Sequence, residues 1–333
     1  MRDRVAILGA GSWGTALALH SARVGHDARL WGRDQHLVDD ICRTGQNRGY
    51  LPDVLLPSTV QVTGSLAEAL RDATLVLAAV PSHGLRDVLR AAAASLPEDV
   101  VLVSAAKGLE TDTLARMSQV MRDEAPGHPL AVLSGPSFAA EVARGLPTAV
   151  VAASMDHGAA ARVQEALKGP TFRLYRSDDV AGVEFGGALK NVIAIAAGVV
   201  EGLGLGHNAM AALITRGLVE ISRLACAEGG HRDTLSGLSG LGDLVLTCTG
   251  DLSRNRHVGI ELGRGRSLRD ILSHMKMVAE GVRTTRAALA LGERHGVELP
   301  IAAQMSAVLD GCVSPRDAVE ALMLRRQRLE ADR

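Results

Sequence analysis

The amino-acid sequence predicts an α/β protein in which a doubly wound parallel sheet is followed by an all-helical part. Short apolar segments alternate with helical segments through the first half of the chain, this alternation stops near residue 180, and long helical segments fill the remainder. Because parallel strands need a crossover between them, strands that alternate with helices favour right-handed βαβ units. We therefore expect two domains, residues 1–180 and residues 181–333.

Six apolar runs are predicted to be buried strands of this sheet. They cover residues 5–8, 28–31, 75–80, 100–104, 130–133 and 149–152. The helices predicted between them cover residues 14–24, 66–71, 84–95 and 111–124. The helices predicted for the second domain cover residues 183–203, 209–228, 283–294, 301–310 and 315–326.

Composition and charge argue against several classes of protein. The net charge of −1 provides no field that would gather nucleic acid or an anionic membrane surface. The cysteines are scattered without a C-x-x-C pair, so neither a disulfide framework nor a metal site is predicted. No apolar run approaches the ~18 residues of a membrane span, and no signal-like segment precedes the first strand. We expect a cytoplasmic protein whose partner is a small molecule.

The first predicted strand runs directly into a glycine motif. Gly9, Gly11 and Gly14 form the pattern G-x-G-x-x-G, and a helix begins within it. In this context the glycines allow a tight turn, close approach of the backbone to a pyrophosphate, and close packing of helix on sheet. A glycine-rich turn without a ligand is the less favoured alternative. The motif predicts a Rossmann-type, dinucleotide-binding domain.

The end of the second predicted strand carries the residues that select the dinucleotide. Arg33 stands where an acid that binds a free ribose hydroxyl is expected. A guanidinium instead suits a 2′-phosphate, because it makes bidentate, charge-assisted hydrogen bonds. Arg33 therefore favours NADP(H), while the adjacent Asp34 leaves NAD(H) open.

Two lysines stand in unusual surroundings. Lys107 follows the predicted strand 100–104, and the carboxyl ends of parallel strands form the ligand crevice of an open sheet. Lys190 interrupts an apolar helix, where an ammonium group is paired, reaches solvent, or has a lowered pKa. A surface-loop position for Lys107 and a solvent-reaching one for Lys190 are the alternatives.

Further polar residues lie among glycines later in the chain. Asp243 is flanked by Gly242 and two leucines and is either a helix N-cap or part of a site. Arg254 and Asn255 form a pair suited to a phosphate, since the guanidinium is bidentate and charged.

Eight motifs occur in order over nearly the whole chain: G-x-G-x-W-G-T-A-L-A, P-S-H, A-K-G, G-P-S-F-A-x-E, L-K-N-V, G-L-G-D-L-x-L-T, S-R-N and V-A-E-G. Together they resemble bacterial NAD(P)-dependent glycerol-3-phosphate dehydrogenases. The resemblance implies a Rossmann domain followed by a helical domain similar to that of 6-phosphogluconate dehydrogenase. It also implies reversible reduction of dihydroxyacetone phosphate to sn-glycerol 3-phosphate, for glycerophospholipid synthesis, with NADPH preferred and NADH as the other cofactor.

The motifs and the resemblance together assign residues to the two ligands and to catalysis. Cofactor binding is expected for Gly9, Gly11, Ser12, Trp13, Gly14, Arg33, Tyr50, Lys107, Ala139, Arg254, Val278 and Glu280. Substrate binding is expected for Lys107, Gly135, Ser137, Lys190, Asn191, Asp243, Thr247, Ser253, Arg254 and Asn255. Lys190 matches the family's proton acceptor, and Lys107 and Asp243 complete the expected catalytic set.

The chemistry of ketone reduction suits this set, because negative charge builds on the carbonyl oxygen and needs a proton donor. Two other functions stay open: a two-domain dehydrogenase acting on a different hydroxy acid, and a nucleotide-sensing regulator that binds cofactor without turnover. A homodimer is expected, with residues 193–200 and 213–224 as candidate contact faces.

Overall fold

The computed structural model describes residues 2–275, 278–327 and 329–330. In this part the strands are β1 (Arg4–Leu8), β2 (Asp27–Trp31), β3 (Gln46–Asn47), β4 (Leu51–Leu55), β5 (Val60–Thr63), β6 (Leu75–Ala78), β7 (Val101–Ser104), β8 (Leu130–Ser134), β9 (Thr148–Ala153) and β10 (Phe172–Ser177). The helices of the sheet portion are α1 (Ser12–Arg23), α2 (Gln35–Thr44), α3 (Leu66–Leu70), α4 (Leu85–Ala92), α5 (Met117–Glu124), α6 (Ala139–Arg144) and α7 (His157–Leu167). The helices that follow are α8 (Val180–Gly202), α9 (Gly206–Ala227), α10 (Arg232–Leu235), α11 (Asp243–Thr249), α12 (Arg254–Gly263), α13 (Leu268–Ser273), α14 (Glu280–His295), α15 (Pro300–Leu309) and α16 (Pro315–Met323).

Eight strands form one sheet in the order β10-β9-β8-β7-β6-β1-β2-β5. Neighbouring strands are parallel except β8 and β9, which are antiparallel, so β9 and β10 run opposite to the rest. The sheet thus departs from the predicted parallel arrangement at one pair. The connection through α6 stays at the sheet edge where β8 ends, so β9 begins at that edge and runs antiparallel to β8. A parallel crossover would instead have to travel back along the sheet before the next strand began.

Helices cover both faces of the sheet, as a doubly wound fold requires. On β1, Val5 and Ile7 point to the core shared with α1 and α7, while Ala6 and Leu8 point to the core shared with α4 and α5. Strands covered on both faces read as continuous apolar runs rather than alternating ones. The predicted fold class, a Rossmann-type sheet followed by helices, is confirmed.

Helix α8 lies at the centre of the helical portion, surrounded by α9, α11, α12 and α14. Its contact with α12 depends on small residues, because a Cβ on Gly198 would lie 2.0 Å from the Arg256 carbonyl oxygen. A Cβ on Gly259 of α12 would likewise lie 1.9 Å from the Ile195 carbonyl oxygen. The two helix backbones therefore approach closely.

The burial of α8 corrects two sequence expectations. The helix is long and apolar enough to cross a membrane by composition, contrary to the expectation that no run approaches that length, yet it is wholly buried in the protein. Residues 193–200 belong to this buried core and are not an exposed contact face. Along the other candidate face, Leu213, Ile214 and Leu218 of α9 are partly exposed.

Several elements were absent from the sequence prediction. These are β3, β4, β5, β10, α2, α6 and α7, together with the short helices α10 to α13. The helix predicted from residue 111 begins only at Met117, because residues 109–116 form a turn closed by a bridge between Leu109 and Arg116.

Candidate active site

The glycine turn after β1 is shaped for close approach of a ligand. Gly9 has φ +116°, and a Cβ on Gly14 would lie 1.8 Å from the Gly9 carbonyl oxygen, so both positions require glycine. A Cβ on Gly11 would meet nothing within 4 Å, which leaves the backbone there open. Among the described residues, the buried indole N–H of Trp13 has no hydrogen-bond partner. These features fit a pyrophosphate resting on the start of α1.

Polar contacts brace this turn from the segment after α2. The Ser12 hydroxyl donates to the Tyr50 carbonyl oxygen over 2.7 Å. The Asn47 amide, which is fully buried, donates to the Ala10 carbonyl oxygen and to the Thr15 hydroxyl, each over 2.8 Å. Sequence reasoning missed Asn47, because nothing in its local sequence shows that it reaches the turn.

The two charged residues after β2, Arg33 and Asp34, differ in their contacts. Arg33 is exposed, and Asp34 caps α2 by accepting from the His36 backbone N–H over 3.0 Å. The carboxylate that left NAD(H) open therefore has a structural role at the helix start.

Lys107, Asp243 and Lys190 meet at the carboxyl edge of the sheet. The Lys107 ammonium donates to one Asp243 oxygen over 2.8 Å, and the Lys190 ammonium donates to the other. Lys107 also donates to the Gly135 carbonyl oxygen over 2.7 Å and to the Ser137 hydroxyl over 3.2 Å. Asp243 is fully buried and bridges the two lysines, so neither the N-cap alternative nor the surface alternatives describe these residues.

Local structure explains why these side chains converge. Strands β7 and β8 are neighbours, so the loops that carry Lys107 and Ser137 leave the same sheet edge. A Cβ on Gly187 of α8 would lie 3.6 Å from the Lys107 Cγ, which shows that the lysine stem runs across α8 at this glycine. Asp243 opens α11, and one turn later the Thr247 hydroxyl accepts from Lys190 over 2.8 Å.

Electrostatics place Lys190 near its titration point at neutral pH. Burial lowers the pKa of Lys190, Asp243 raises it, and the positive charge of Lys107 lowers it, giving a pKa of about 7. An amine with this pKa exchanges a proton readily near pH 7, as a general acid or base must. Burial raises the pKa of the adjacent Cys248 thiol to about 12, so this thiol stays protonated.

Two side-chain amides, of Asn191 and Asn255, link the Lys107 backbone to the start of α14. Asn191 donates to the Lys107 carbonyl oxygen over 3.3 Å and accepts from the Asn255 amide over 2.9 Å. Asn255 in turn accepts from the Gly281 backbone N–H over 3.0 Å. Of its two amide N–H groups, Asn255 uses one for Asn191, and the second has no acceptor among the described residues.

The remaining predicted residues are close in the chain to residues of the site. The Arg254 side chain is exposed, yet neighbouring protein atoms partly desolvate it and lower its pKa, while Glu280 and Tyr50 raise that pKa. The Ser253 hydroxyl caps α12 by accepting from the Arg256 backbone N–H over 3.2 Å. Ala139 opens α6 and is half-buried, and Val278 is 36% exposed.

Glu280 holds the helical portion against the sheet portion. Its two carboxylate oxygens accept from the Ser82 backbone N–H over 3.0 Å and from the Ser82 hydroxyl over 2.7 Å. A second contact of this kind joins Glu184 of α8 to Ser118 of α5. Neither serine was assigned a role from the sequence. The signal that singled out Lys190, a charge inside an apolar helix, applies equally to Glu184.

Comparison with known proteins gives matches to a single enzyme family over nearly the whole chain. The family described as NAD-dependent glycerol-3-phosphate dehydrogenase N-terminus matches residues 4–160, and the corresponding C-terminus family matches residues 179–320. A glycerol-3-phosphate dehydrogenase [NAD(P)+] of Koribacter versatilis is 53% identical over 328 residues, covering 97% of each chain, and one of Citrifermentans bemidjiense is 50% identical, covering 99% of each. The crystal structure of glycerol-3-phosphate dehydrogenase from Coxiella burnetii superimposes with a TM-score of 0.94 at 41% identity, covering 97% of this chain and 99% of that one.

Proposed function

The chain belongs to the NAD-dependent glycerol-3-phosphate dehydrogenase family, and we propose that Lys190 is the acid and base of its reaction. That reaction is the reversible NAD(P)H-dependent reduction of dihydroxyacetone phosphate to glycerol 3-phosphate. The observation that supports the role of Lys190 is its buried amine, held between Asp243 and Thr247 with a pKa of about 7.

The bound nicotinamide supplies the hydride, and the residues of the chain supply placement and the proton. Protonated Lys190 donates a hydrogen bond to the substrate carbonyl oxygen and then transfers its proton as negative charge develops there. Asp243 orients this amine and stabilises its charged form, while Lys107 opposes that effect. In the oxidation direction neutral Lys190 accepts the proton of the alcohol.

Arg254 and Asn255 are proposed to bind the phosphate of the substrate. The guanidinium is available in the cleft, and Asn255 retains one amide N–H. Phosphate binding away from the reacting carbon supplies free energy that orients the carbonyl toward Lys190. Gly135, Ser137, Asn191, Thr247 and Ser253 are proposed to complete the substrate site.

NADPH is proposed as the preferred cofactor. The open backbone at Gly11 and the unpaired Trp13 indole N–H support binding of the dinucleotide along α1, and the exposed Arg33 supports recognition of a 2′-phosphate. Ser12, Tyr50, Ala139, Val278 and Glu280 are proposed to line the same site.

A steady-state assay tests the function directly. We expect oxidation of NADPH with dihydroxyacetone phosphate at a kcat/KM above that with NADH, and much weaker activity with unphosphorylated dihydroxyacetone. Turnover of non-phosphorylated hydroxy acids at equal kcat/KM would favour the related-dehydrogenase alternative. Cofactor binding without any turnover would favour the regulator.

We also propose a domain boundary near residue 180, a cytoplasmic homodimer, and use of the product in glycerophospholipid synthesis. The boundary is supported by the end of β10 at Ser177 and the start of α8 at Val180. The partly exposed apolar residues on α9 support self-association, and sedimentation equilibrium should give twice the chain mass of 34.8 kDa. A monomer mass would contradict it.

A further inference from the structure

Two loops that flank the glycine turn carry groups able to bind an anion. Arg33 follows β2 and His83 follows β6, and these strands lie on either side of β1 in the sheet. A Cβ on Gly32 would lie 3.1 Å from the Ala10 Cβ, and a Cβ on Gly9 would lie 3.0 Å from the Ala79 carbonyl carbon. Both loops therefore touch the turn, so the segments that carry Arg33 and His83 flank it on its two sides.

Helix α14 brings a third group to this place from the helical portion. Its first residue, Glu280, binds the backbone N–H and the hydroxyl of Ser82, which precedes His83 in the chain. Arg283 lies three residues further, on the same face of the helix. Burial lowers the pKa of His83, the charges of Arg283 and Arg33 lower it as well, and Glu280 raises it. His83 therefore lies within electrostatic range of Arg33, Arg283 and Glu280.

The charges in this cluster are unbalanced. Arg33, His83 and Arg283 are all exposed, and in the described part of the chain neither arginine forms an ion pair with a carboxylate. Glu280 is the carboxylate whose charge acts on His83, and both its oxygens are engaged by Ser82. A phosphate monoester carries about two negative charges near neutral pH and matches such a cluster.

We infer that Arg283 and His83 join Arg33 in binding the 2′-phosphate of NADPH, so that the helical portion takes part in cofactor selection. The inference rests on the proposed NADPH-dependent function. Since the ribose of the dinucleotide lies at the end of the second strand in this fold, the 2′-phosphate is the anionic group that reaches Arg33. Arg283 then closes over it from the opposite side of the cleft.

Nucleotide binding without substrate tests the role of Arg283. Dissociation constants for NADPH and NADH are measured from the change in nucleotide fluorescence on titration with the full chain. We expect Arg283→Gln to weaken NADPH binding by about 10-fold, the loss of one charge-assisted contact, and NADH binding by less than twofold. Arg283→Lys should keep most of the NADPH affinity. The matched control is Arg286→Gln, one turn further along α14 and paired with Asp310 over 2.6 Å, which should change neither constant.

The role of His83 is tested by the pH dependence of NADPH binding. We expect His83→Gln to weaken NADPH binding more at pH 6 than at pH 8, because only the protonated imidazole adds charge, whereas a purely structural loss would be equal at both values. Equal weakening of NADPH and NADH by Arg283→Gln, or no weakening of either, would overturn the inference. Arg33→Ala distinguishes failure of the proposed function from failure of this inference. If Arg33→Ala weakens binding of NADPH and NADH equally, the proposed NADPH preference fails. If Arg33→Ala weakens NADPH binding selectively but Arg283→Gln changes neither dissociation constant, only this inference is overturned.

Discussion

At the scale of single residues, one carboxylate between two amines sets the pKa of Lys190. Asp243 is fully buried and accepts from both Lys107 and Lys190. Its single negative charge can balance the positive charge of only one of the two lysines. Desolvation makes the second positive charge costly, and Lys190, the more buried of the two lysines, bears that cost. The result is an amine that holds or releases its proton near pH 7.

The activity of the wild-type enzyme should depend on pH with opposite sign in the two directions. A lysine whose pKa is lowered to about 7 is protonated below pH 7 and neutral above it. In the proposed mechanism reduction needs the protonated form, so kcat/KM for dihydroxyacetone phosphate should fall as pH rises through about 7. Oxidation needs the neutral form, so kcat/KM for glycerol 3-phosphate should rise over the same interval. Profiles that are flat between pH 6 and pH 8 in both directions would argue against this assignment.

Arg254→Ala should act mainly on substrate binding. Losing a charged hydrogen bond of about 1.5–3 kcal/mol corresponds to a rise in KM for dihydroxyacetone phosphate on the order of 10- to 100-fold, with a smaller change in kcat. The matched control is Arg264→Ala at the other end of α12, where the guanidinium pairs with Glu261. An unchanged KM in Arg254→Ala would move the phosphate site elsewhere.

At the scale of elements, α8 is both the centre of the helical core and the helix that carries Lys190. Its small residues let α12 approach on one side and let the Lys107 stem cross on another. Close approach fixes the helix without large side chains, and Lys190 is then held in one place by its partners on α11. Packing density in such an interior leaves little room for a shift.

Gly198→Ala tests this packing. The added methyl group would lie 2.0 Å from the Arg256 carbonyl oxygen and 2.7 Å from the Ile260 backbone nitrogen, so the helices must move apart. Overpacking of this kind costs about 1–3 kcal/mol, more than the ~1 kcal/mol that alanine gains over glycine in a helix. The urea midpoint of unfolding should therefore fall. In Gly84→Ala the methyl group would meet nothing within 4 Å, and the midpoint should stay; an unchanged midpoint in Gly198→Ala would contradict the close contact.

Strands with both faces covered could be predicted from the sequence, whereas the edge strands β5 and β10 could not. Strand β7 reads as a continuous apolar run, but β10 alternates buried Phe172 and Leu174 with exposed Arg173 and Tyr175 and follows directly on a proline turn. Helix α2 buries only Val38 and Ile41, so few apolar residues mark it in the sequence.

The same contrast holds for the candidate site. Lys107, Lys190 and Asp243 stand out because a charge among small or apolar residues is unusual in a sequence. Asn47 and Gly187 act through contacts with residues far away in the chain, and no local pattern predicts those contacts. That Asp243 bridges both lysines is likewise a product of tertiary structure.

At the scale of the whole molecule, polar contacts join the sheet portion to the helical portion on either side of the cleft. Glu280 binds Ser82, and Glu184 accepts from the Ser118 backbone N–H over 2.7 Å, from the Ser118 hydroxyl over 2.6 Å and from the Arg116 guanidinium over 2.6 Å. Since residues 109–116 connect Lys107 to α5, the Glu184 contact also fixes the loop that carries Lys107.

Glu184→Ala should destabilise the protein strongly. The substitution leaves the Arg116 charge and the Ser118 backbone N–H without their buried partner, and breaking a buried pair costs about 3–5 kcal/mol. The free energy of unfolding in urea measures this loss. Glu165→Ala removes an exposed carboxylate paired with Lys168 and should change stability by less than about 1 kcal/mol. Equal stability of the two variants would show that the Glu184 contact does not hold the portions together.

The turnover of Lys190→Ala, measured with NADPH and dihydroxyacetone phosphate, tests the central claim most directly. The exposed Lys168 provides the matched control, Lys168→Ala. We predict that kcat of Lys190→Ala falls by a factor on the order of 10²–10⁴, the contribution of general acid–base catalysis, while NADPH affinity stays close to that of the wild type and Lys168→Ala turns over normally. A kcat within twofold of the wild type in Lys190→Ala would contradict the claim that this buried amine moves the proton.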